Sequence, residues 1–389
     1  MNILLLDAQN IQAISVARSL KQCSYFVSAF IEYKVSPGYV SRYIDKKYIC
    51  PALKSDEKVY IDFLFNFLQN SKQDVIIPLG NGSAELLSKF KEKIELDFST
   101  KCACPTYDTL IHAHNKELLM DLCEKENIPH PRTIGLSVEN LEYAANYVGF
   151  PAMIKPNISV GARGITLVEN LNELQEQFPL IKKIYGNCTL QKFVTHSGSY
   201  YNVMIYRDRI GKIQRHTIIK IRRYFPLQGG TSCYCETIDN TQLLEICTKT
   251  LEKLNWKGFA DFDIMEDIEN NDYKIIEINP RTPSSIHAAF VSGINFPAIM
   301  VADEMNLEIP HYQYSIGKSI RYMGLDIMWF IFAKNRFTFK PSWFQFFGKN
   351  VFYQDGSIKD TLPMFIGFLE GIKKYANPEF RKSKLGIKI

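Results

Sequence analysis

The chain has 389 residues, enough for two or three domains with a sizeable core. Its 46 basic and 41 acidic side chains give a net charge of +5, without the concentrated basic stripe of a nucleic-acid binder. The composition argues against a nucleic-acid partner and suits a site that receives phosphates and carboxylates.

The N-terminal run Met1–Asp7 predicts a first β-strand, because no basic residue precedes it and an acid ends it. No apolar run reaches the roughly 18 residues of a membrane helix. We therefore expect a cytoplasmic protein without a transmembrane segment. Nine cysteines fit reduced thiols in that compartment, although a metal site at Cys102, Cys104, His112 and His114 stays open.

The first 110 residues alternate strand and helix patterns, which predict a parallel sheet with helices on its faces. The predicted elements are strands Ile3–Leu6, Phe26–Phe30 and Asp74–Pro78 and helices 11–21 and 58–70. Ligands would collect at the carboxyl edge, near Asp7 and Gly80–Ser83. Glu85 stands where a dinucleotide site needs its third glycine, which argues against an NAD or FAD fold.

An apolar strand ending at Lys155 is followed by a loop with glycines at 161 and 164. Glycines let backbone N–H groups approach phosphate oxygens, and the lysine supplies a point charge. Arg163 adds a forked donor inside the loop. The pattern favours a phosphate site no more than it favours an ordinary hairpin turn with a solvated lysine.

The segment from Lys220 to Ser232 carries two arginines, Arg222 and Arg223, before the glycine pair Gly229 and Gly230. We interpret it as an anion clamp for a substrate carboxylate or γ-phosphate, without distinguishing the two arginines. The alternative is a surface loop with solvated arginines.

Two further strands carry acids among apolar residues. Alternation places Asp261 and Asp263 on one face of the first strand, and Glu277, Asn279 and Arg281 on one face of the second. The polar run between the strands predicts a hairpin that sets Asp263 against Glu277 and Asn279. Oxygen ligands without histidine or cysteine are what Mg²⁺ prefers, so the hairpin predicts a magnesium site beside Arg281.

From about residue 300 the chain becomes aromatic. Its run Met328–Ala333 is too short to span a bilayer, and the aromatics predict packing onto the main domain or a partner, with membrane-surface contact as an alternative. The basic end of the chain is interpreted as solvated.

Six segments occur in the order found in the ATP-grasp superfamily and resemble it over about residues 110–300. They are Asn115–Glu117, Ile128–Thr133, Gly149–Pro156 with Gly161–Gly164, Gln191–Val194, Gly258–Asp263 and Glu277–Arg281. The chain is most similar to the carbamoyl-phosphate-synthase-like ATP-grasp ligases. The resemblance implies an α/β (α+β) fold. A parallel-sheet, Rossmann-like pre-ATP-grasp domain (1–110) would precede a two-lobed ATP-grasp domain (111–300, lid about 151–194) and a C-terminal extension (301–389).

The resemblance also implies roles for individual residues. Metal binding would fall to Asp263, Glu277 and Asn279, and Arg281 would steady the γ-phosphate and an acyl-phosphate intermediate. The similar family segment supports Arg222 and Arg223 as catalytic. ATP would be bound by Lys116, Lys155, Gly161, Arg163, Gly164, Gln191, Lys192, Phe193, Val194 and Ser199. The hinge at Gln191 lacks the family's usual acid, and Ser199 lies where an acid usually holds the ribose.

The implied activity is an ATP-dependent carboxylate–amine ligase that uses two Mg²⁺ ions, for which Mn²⁺ could substitute. Its partners would be ATP, a small acid and an amine. A kinase, a carboxylase-type enzyme and a non-catalytic nucleotide-binding protein remain alternatives on this scaffold, and self-association stays open.

Overall fold

The computed structural model describes residues 1–158, 163–227, 229–354, 356 and 359–376. Over these residues it forms a five-stranded, a four-stranded and a seven-stranded sheet with helices packed on them. The predicted mixed α/β class is confirmed.

The front domain is a parallel sheet in the order β3-β2-β1-β4-β5. Its central strand is buried on both faces, as its unbroken apolar sequence predicts. The elements are β1 (Asn2–Leu6), α1 (Gln12–Gln22), β2 (Phe26–Ile31), α2 (Pro37–Val40), β3 (Lys46–Ile49), α3 (Glu57–Asn70), β4 (Val75–Pro78), α4 (Asn81–Lys89), α5 (Lys91–Phe98) and β5 (Lys101–Cys102).

Two helices, α6 (Tyr107–His114) and α7 (Lys116–Lys125), lead into a small antiparallel lobe. Its strand order is β6-β9-β7-β8, and its sheet begins at Thr133, earlier than the predicted lid boundary. The lobe consists of β6 (Thr133–Gly135), α8 (Leu141–Val148), β7 (Ala152–Pro156), β8 (Thr166–Val168), α9 (Leu171–Tyr185) and β9 (Cys188–Lys192).

The large sheet has the order β14-β13-β10-β11-β12-β15-β16. One face packs on the front domain, where Met204 and Ile219 join Leu5 and Ile77 in one core, and the other packs on α7 and α10. Its strands and helices up to residue 304 are β10 (Tyr200–Arg207), β11 (Ile213–Phe225), β12 (Thr231–Ile238), α10 (Thr241–Lys253), β13 (Gly258–Asp267), β14 (Asp272–Asn279), α11 (His287–Val291) and α12 (Phe296–Glu304).

The C-terminal extension completes this sheet and then returns to the front domain. It consists of β15 (Ser319–Arg321), α13 (Met323–Phe332), β16 (Val351–Tyr353) and α14 (Leu362–Ala376). Asp360 accepts a hydrogen bond from Ser41 Oγ at 2.6 Å, and Glu370 accepts one from the Tyr33 hydroxyl at 2.6 Å. These contacts hold α14 beside the cleft, which Gly367, Glu370 and Gly371 line.

Within the described residues, no single helix combines the length and apolar composition needed to cross a membrane. One bent pair, Ser284–Val291 with Phe296–Glu304, meets both criteria by length and composition.

Candidate active site

A cleft of about 660 Å³ lies where the front domain, the small lobe, the large sheet and the C-terminal extension meet. The front domain contributes the segments after β1 and β4, at the carboxyl edge where ligands were expected. Seven of its lining residues follow these strands: Gln9, Asn10, Ile11, Gln12, Leu79, Gly80 and Asn81. The cleft is therefore built by parts of the chain that lie far apart in sequence.

The β13–β14 hairpin turns its acids into this cleft. The antiparallel pairing places Asp261 opposite Asn279 and Asp263 opposite Glu277. Asn279 Nδ2 donates a hydrogen bond to Asp263 Oδ2 at 3.4 Å. The three predicted metal ligands are thus brought together, with Asp261 beside them.

Two lysines face these acids. Lys116 begins α7, which is capped by Asn115, and its Nζ lies 3.4 Å from Glu277 Oε2 in a buried position outside the cleft lining. Lys155 lines the cleft from the end of β7, and its Nζ donates to Gln191 Oε1 at 2.5 Å. Gln191 also donates to Thr133 Oγ1 at 2.9 Å, so the glutamine fixes the position of the lysine ammonium group.

The acids do not ionise alike. Burial, followed by repulsion from Glu277 and Asp261, holds the pKa of Asp263 well above its usual range. Burial would also raise the pKa of Glu277, but Lys116, the hydrogen bond with Asp263 and Lys155 lower it to about 2. Asp263 therefore binds a proton more readily than Glu277, and a bound cation would compete with that proton.

The donor set fits a hard cation. All its ligating atoms are oxygens, and Asp261 Oδ1 is buried with no hydrogen-bond partner among the described residues. Burial, offset by Arg281, raises the pKa of Asp261 to about 8. A divalent ion would bind the unpartnered oxygen of Asp261 and offset the repulsion between the neighbouring carboxyl groups.

Arg281 is held at the junction with the front domain. Its Nε donates to Asn81 Oδ1 at 2.8 Å and its Nη2 to Asn279 Oδ1 at 3.1 Å. The sequence analysis marked the Gly80–Ser83 segment but did not assign Asn81. It also missed Asn202 of β10, which pairs with Asp263 and donates to its Oδ1.

The predicted nucleotide hinge Gln191, Lys192, Phe193 and Val194 lines the cleft, with His196 and Tyr200 next to it. Two of its N–H groups are engaged, Lys192 by Arg132 O and Phe193 by Pro151 O. Ser199 is half-buried and does not line the cleft. Its neighbour Tyr200 does, with the hydroxyl donating to Gly230 O at 2.8 Å.

The structure describes part of the glycine loop, from Arg163 onwards. Gly161 lies outside the described residues. Arg163 is exposed and does not line the cleft. Gly164 has a φ of 72°, and a Cβ there would lie 2.7 Å from Tyr185 Cε2 and 2.8 Å from Pro156 Cγ. The glycine is needed at this turn because a side chain would meet both rings.

The anion-clamp interpretation of Arg222 and Arg223 is not supported. The Arg223 guanidinium is fully buried and bound to Asp326, with Nε at 2.7 Å from Oδ1, and it lies over the rings of Tyr234 and Trp329. Arg222 pairs with Glu236 at 3.1 Å. Neither lines the cleft, since Tyr224, Thr231 and Ser232 do so from these strands.

The physical reason is a break in the register of β11. A β-bulge between Ile221 and Arg223 shifts the pairing with β12. Arg222 pairs with Glu236, and Glu236 lies opposite Lys220 in the sheet. Lys220 lies opposite Tyr201, whose side chain is on the face that packs on α10. Both arginines are therefore directed away from the acids, and Arg223 holds the C-terminal extension in place.

Known proteins with related sequences or structures include ligases. A family model described as "ATP-grasp in the biosynthetic pathway with Ter operon" matches residues 210–323. A D-aspartate ligase of Enterococcus faecium is 25% identical over 381 residues, covering 90% of this chain and 87% of the relative.

Two solved structures share the fold. One is the biotin carboxylase domain of 2-oxoglutarate carboxylase from Hydrogenobacter thermophilus, a dimer with MgADP and bicarbonate. It matches with a TM-score of 0.68 at 14% identity, and the match covers 82% of this chain and 73% of that domain's chain. An L-amino acid ligase from Bacillus licheniformis has a TM-score of 0.60 at 13% identity, covering 78% and 74%. At such identities the likeness concerns the fold alone.

Proposed function

From the premise that this chain is a member of the ATP-grasp superfamily, we propose that it joins a carboxylate to an amine with hydrolysis of ATP to ADP and phosphate. The observation that carries the proposal is the cluster of Asp263, Glu277 and Asn279 at the base of the cleft, with Lys155 and Arg281 beside it. Opposed acids and cations at one end of a large cleft suit a metal–triphosphate complex.

Asp263, Glu277 and Asn279 would hold Mg²⁺, two ions by analogy with the superfamily, or Mn²⁺ in its place. When bound, the metal neutralises charge on the phosphate oxygens and orients them. The unpaired Asp261 Oδ1 lies close enough in sequence and register to complete the donor set. Asn202 and Asn279, both hydrogen-bonded to Asp263, would orient its carboxylate towards the ion.

The nucleotide would lie between the small lobe and the large sheet. Lys155, positioned by Gln191, would contact the phosphates, while Lys116 would balance Glu277 from behind. The loop containing Gly161, Arg163 and Gly164 would close over the phosphates. The hinge, from Gln191 to Val194, would contact the adenine, and Ser199 the ribose.

The acid and the amine would occupy the part of the cleft shared by the front domain and the C-terminal extension. A carboxylate oxygen attacks the γ-phosphorus, the bond to ADP breaks, and Arg281 stabilises the charge on the transferred group. The amine nitrogen then attacks the acyl carbon, phosphate leaves with the bridging oxygen, and the amine loses a proton. Glu370 lines this region and would attract the amine in its ammonium form, which would lose a proton before its nitrogen attacks.

The test is ADP and phosphate release by the purified chain with pairs of amino acids and amines, followed by mass spectrometry of the products. Because a D-aspartate ligase is among the relatives, D-aspartate, L-aspartate and both enantiomers of other amino acids come first. An amide formed together with one ADP supports the proposal. A stable phosphorylated product, a strict need for bicarbonate, or no ADP release with any pair would replace it with a kinase, a carboxylase or a nucleotide-binding protein.

A further inference from the structure

The C-terminal extension carries a cluster of exposed aromatic and aliphatic side chains on the segment 331–347, here called the aromatic surface. Its members and their exposed fractions are Ile331 (55%), Phe332 (56%), Phe337 (70%), Phe344 (56%) and Phe347 (90%). The Phe337 and Phe344 rings stack with centroids 6.4 Å apart, and both contact Phe330. Adjacent exposed rings such as Phe337 and Phe344 are a feature of interaction sites.

A rigid base holds the aromatic surface outwards. Beneath it, Trp329 is 4% exposed and packs edge-on against Phe339 at 5.1 Å, while Phe330 stacks on Trp343 at 4.2 Å. The Trp343 indole N–H donates to Asp326 O at 3.0 Å. Asp326 is itself fixed by its buried pairs with arginines, so these aromatics are kept from collapsing into the core.

The charged residues within this segment all have one sign. Residues 327–354 contain no Asp or Glu, but they contain Lys334, Arg336, Lys340 and Lys349. The three lysines are exposed, and the Arg336 guanidinium lies over the Phe330 and Phe337 rings at 5.9 and 5.3 Å. A basic side chain lying along an aromatic face keeps its charge at the rim while its stem covers apolar surface.

The exposed Leu96 has a different setting. Leu96 on α5 is 83% exposed, but it lies between Glu95 and Asp97, and Lys93 pairs with Asp97 at 2.8 Å. Such a single side chain among mixed charges needs no partner. A segment whose exposed aromatics are accompanied in sequence only by basic residues complements a surface that is apolar beneath a negatively charged layer.

We propose that the aromatic surface docks on an anionic lipid bilayer. The phenylalanines would enter the boundary between headgroups and acyl chains, where aromatic side chains are favoured, and the lysines would contact the anionic headgroups. The attachment is peripheral and leaves the cleft residues untouched. It does not depend on the proposed ligase activity.

The experiment is flotation of the purified full-length protein with vesicles of phosphatidylcholine alone or mixed with phosphatidylglycerol. We expect the protein to float with the anionic vesicles and to be released by high salt. The variant Phe337→Ser/Phe344→Ser/Phe347→Ser and the variant Lys334→Gln/Lys340→Gln/Lys349→Gln should each lower binding about tenfold or more. Leu96→Ser and Ile210→Ser, at exposed sites outside the segment, should bind like the parent.

Unchanged thermal unfolding must accompany the loss, so that misfolding is separated from lost contact. Several results would overturn the proposal. One is that the parent chain does not bind anionic vesicles. Another is that the control variants Leu96→Ser and Ile210→Ser lose binding as much as the aromatic-surface variants do. A third is that the variant Phe365→Ser/Leu369→Ser, on α14, no longer floats while the aromatic-surface variants still float, because binding would then depend on α14. A fourth is that the parent chain forms a dimer that does not bind vesicles and that only the aromatic-surface variants dissociate. The surface would then contact a second copy of the chain.

Discussion

The β13–β14 hairpin and strand β11 both place charged residues among apolar ones, yet only the hairpin turns them into the cleft. The hairpin strands are neighbours in sequence, and the register shift after Asp263 leaves its pair with Glu277 intact. In β11 a bulge precedes Arg223, whose partner Asp326 lies 103 residues further along the chain. The alternation of side chains along a strand therefore predicts which residues enter a site only where the strand pairs with its neighbour in sequence.

The largest expected effect is at the hairpin. Glu277→Gln removes a proposed metal ligand and should lower ADP release about a hundredfold or more. Glu266→Gln is the matched control, because Glu266 lies on the opposite face of β13, where it accepts from the Tyr201 hydroxyl. Steady-state ADP release checks both variants. An equal loss of ADP release in both variants would mean that the assignment of Glu277 to the cleft face and of Glu266 to the opposite face is wrong.

The next effect is on folding at the end of β11. Asp326→Asn leaves Arg223 and Arg321, both fully buried, without a countercharge. Breaking a buried ion pair on one side costs about 3–5 kcal/mol, which urea unfolding would measure. If Arg223 instead served the reaction, Arg223→Met would reduce ADP release in a protein whose unfolding is unchanged.

Lys155 should make nucleotide binding depend on pH. Burial, followed by repulsion from Lys116, lowers its pKa to about 8, so the ammonium group loses its proton as the pH rises through that value. ADP affinity should then fall severalfold between roughly pH 7 and pH 9. In Lys155→Arg the guanidinium keeps its charge, and calorimetry should find this fall removed. A parent chain with constant affinity over this range would show that Lys155 does not contact the phosphates.

The smallest effect is expected at Arg222. Its pair with Glu236 is partly exposed, so Arg222→Gln should change the free energy of unfolding by less than about 1 kcal/mol. ADP release should remain at the parent level. A clear loss of turnover with unchanged stability would restore the anion clamp that the structure argues against.

Much of the fold could be predicted from local patterns. The front strands, the helices predicted at 11–21 and 58–70 and the hairpin follow from apolar periodicity and from a polar turn between neighbouring strands. Lys155 follows from a strand that ends before a glycine loop. These features depend on residues close together in the chain, and the structure places them as expected.

The remaining parts depend on long-range contacts. Asn81 reaches Arg281 from 200 residues away, and Asn202 meets Asp263 only through the pairing of β10 with β13. An asparagine in a strand or after a glycine gives no signal by itself. The return of α14 to the front domain is equally hidden, because Tyr33 and Glu370 are 337 residues apart.

The most direct test of the proposed metal site is Mn²⁺ binding in the presence of ADP, followed by electron paramagnetic resonance. The parent chain and Glu266→Gln should bind Mn²⁺ with the same affinity, and Glu277→Gln should lose that binding while still unfolding at the parent temperature. Unaltered Mn²⁺ affinity in Glu277→Gln would contradict the assignment of the hairpin as the metal site.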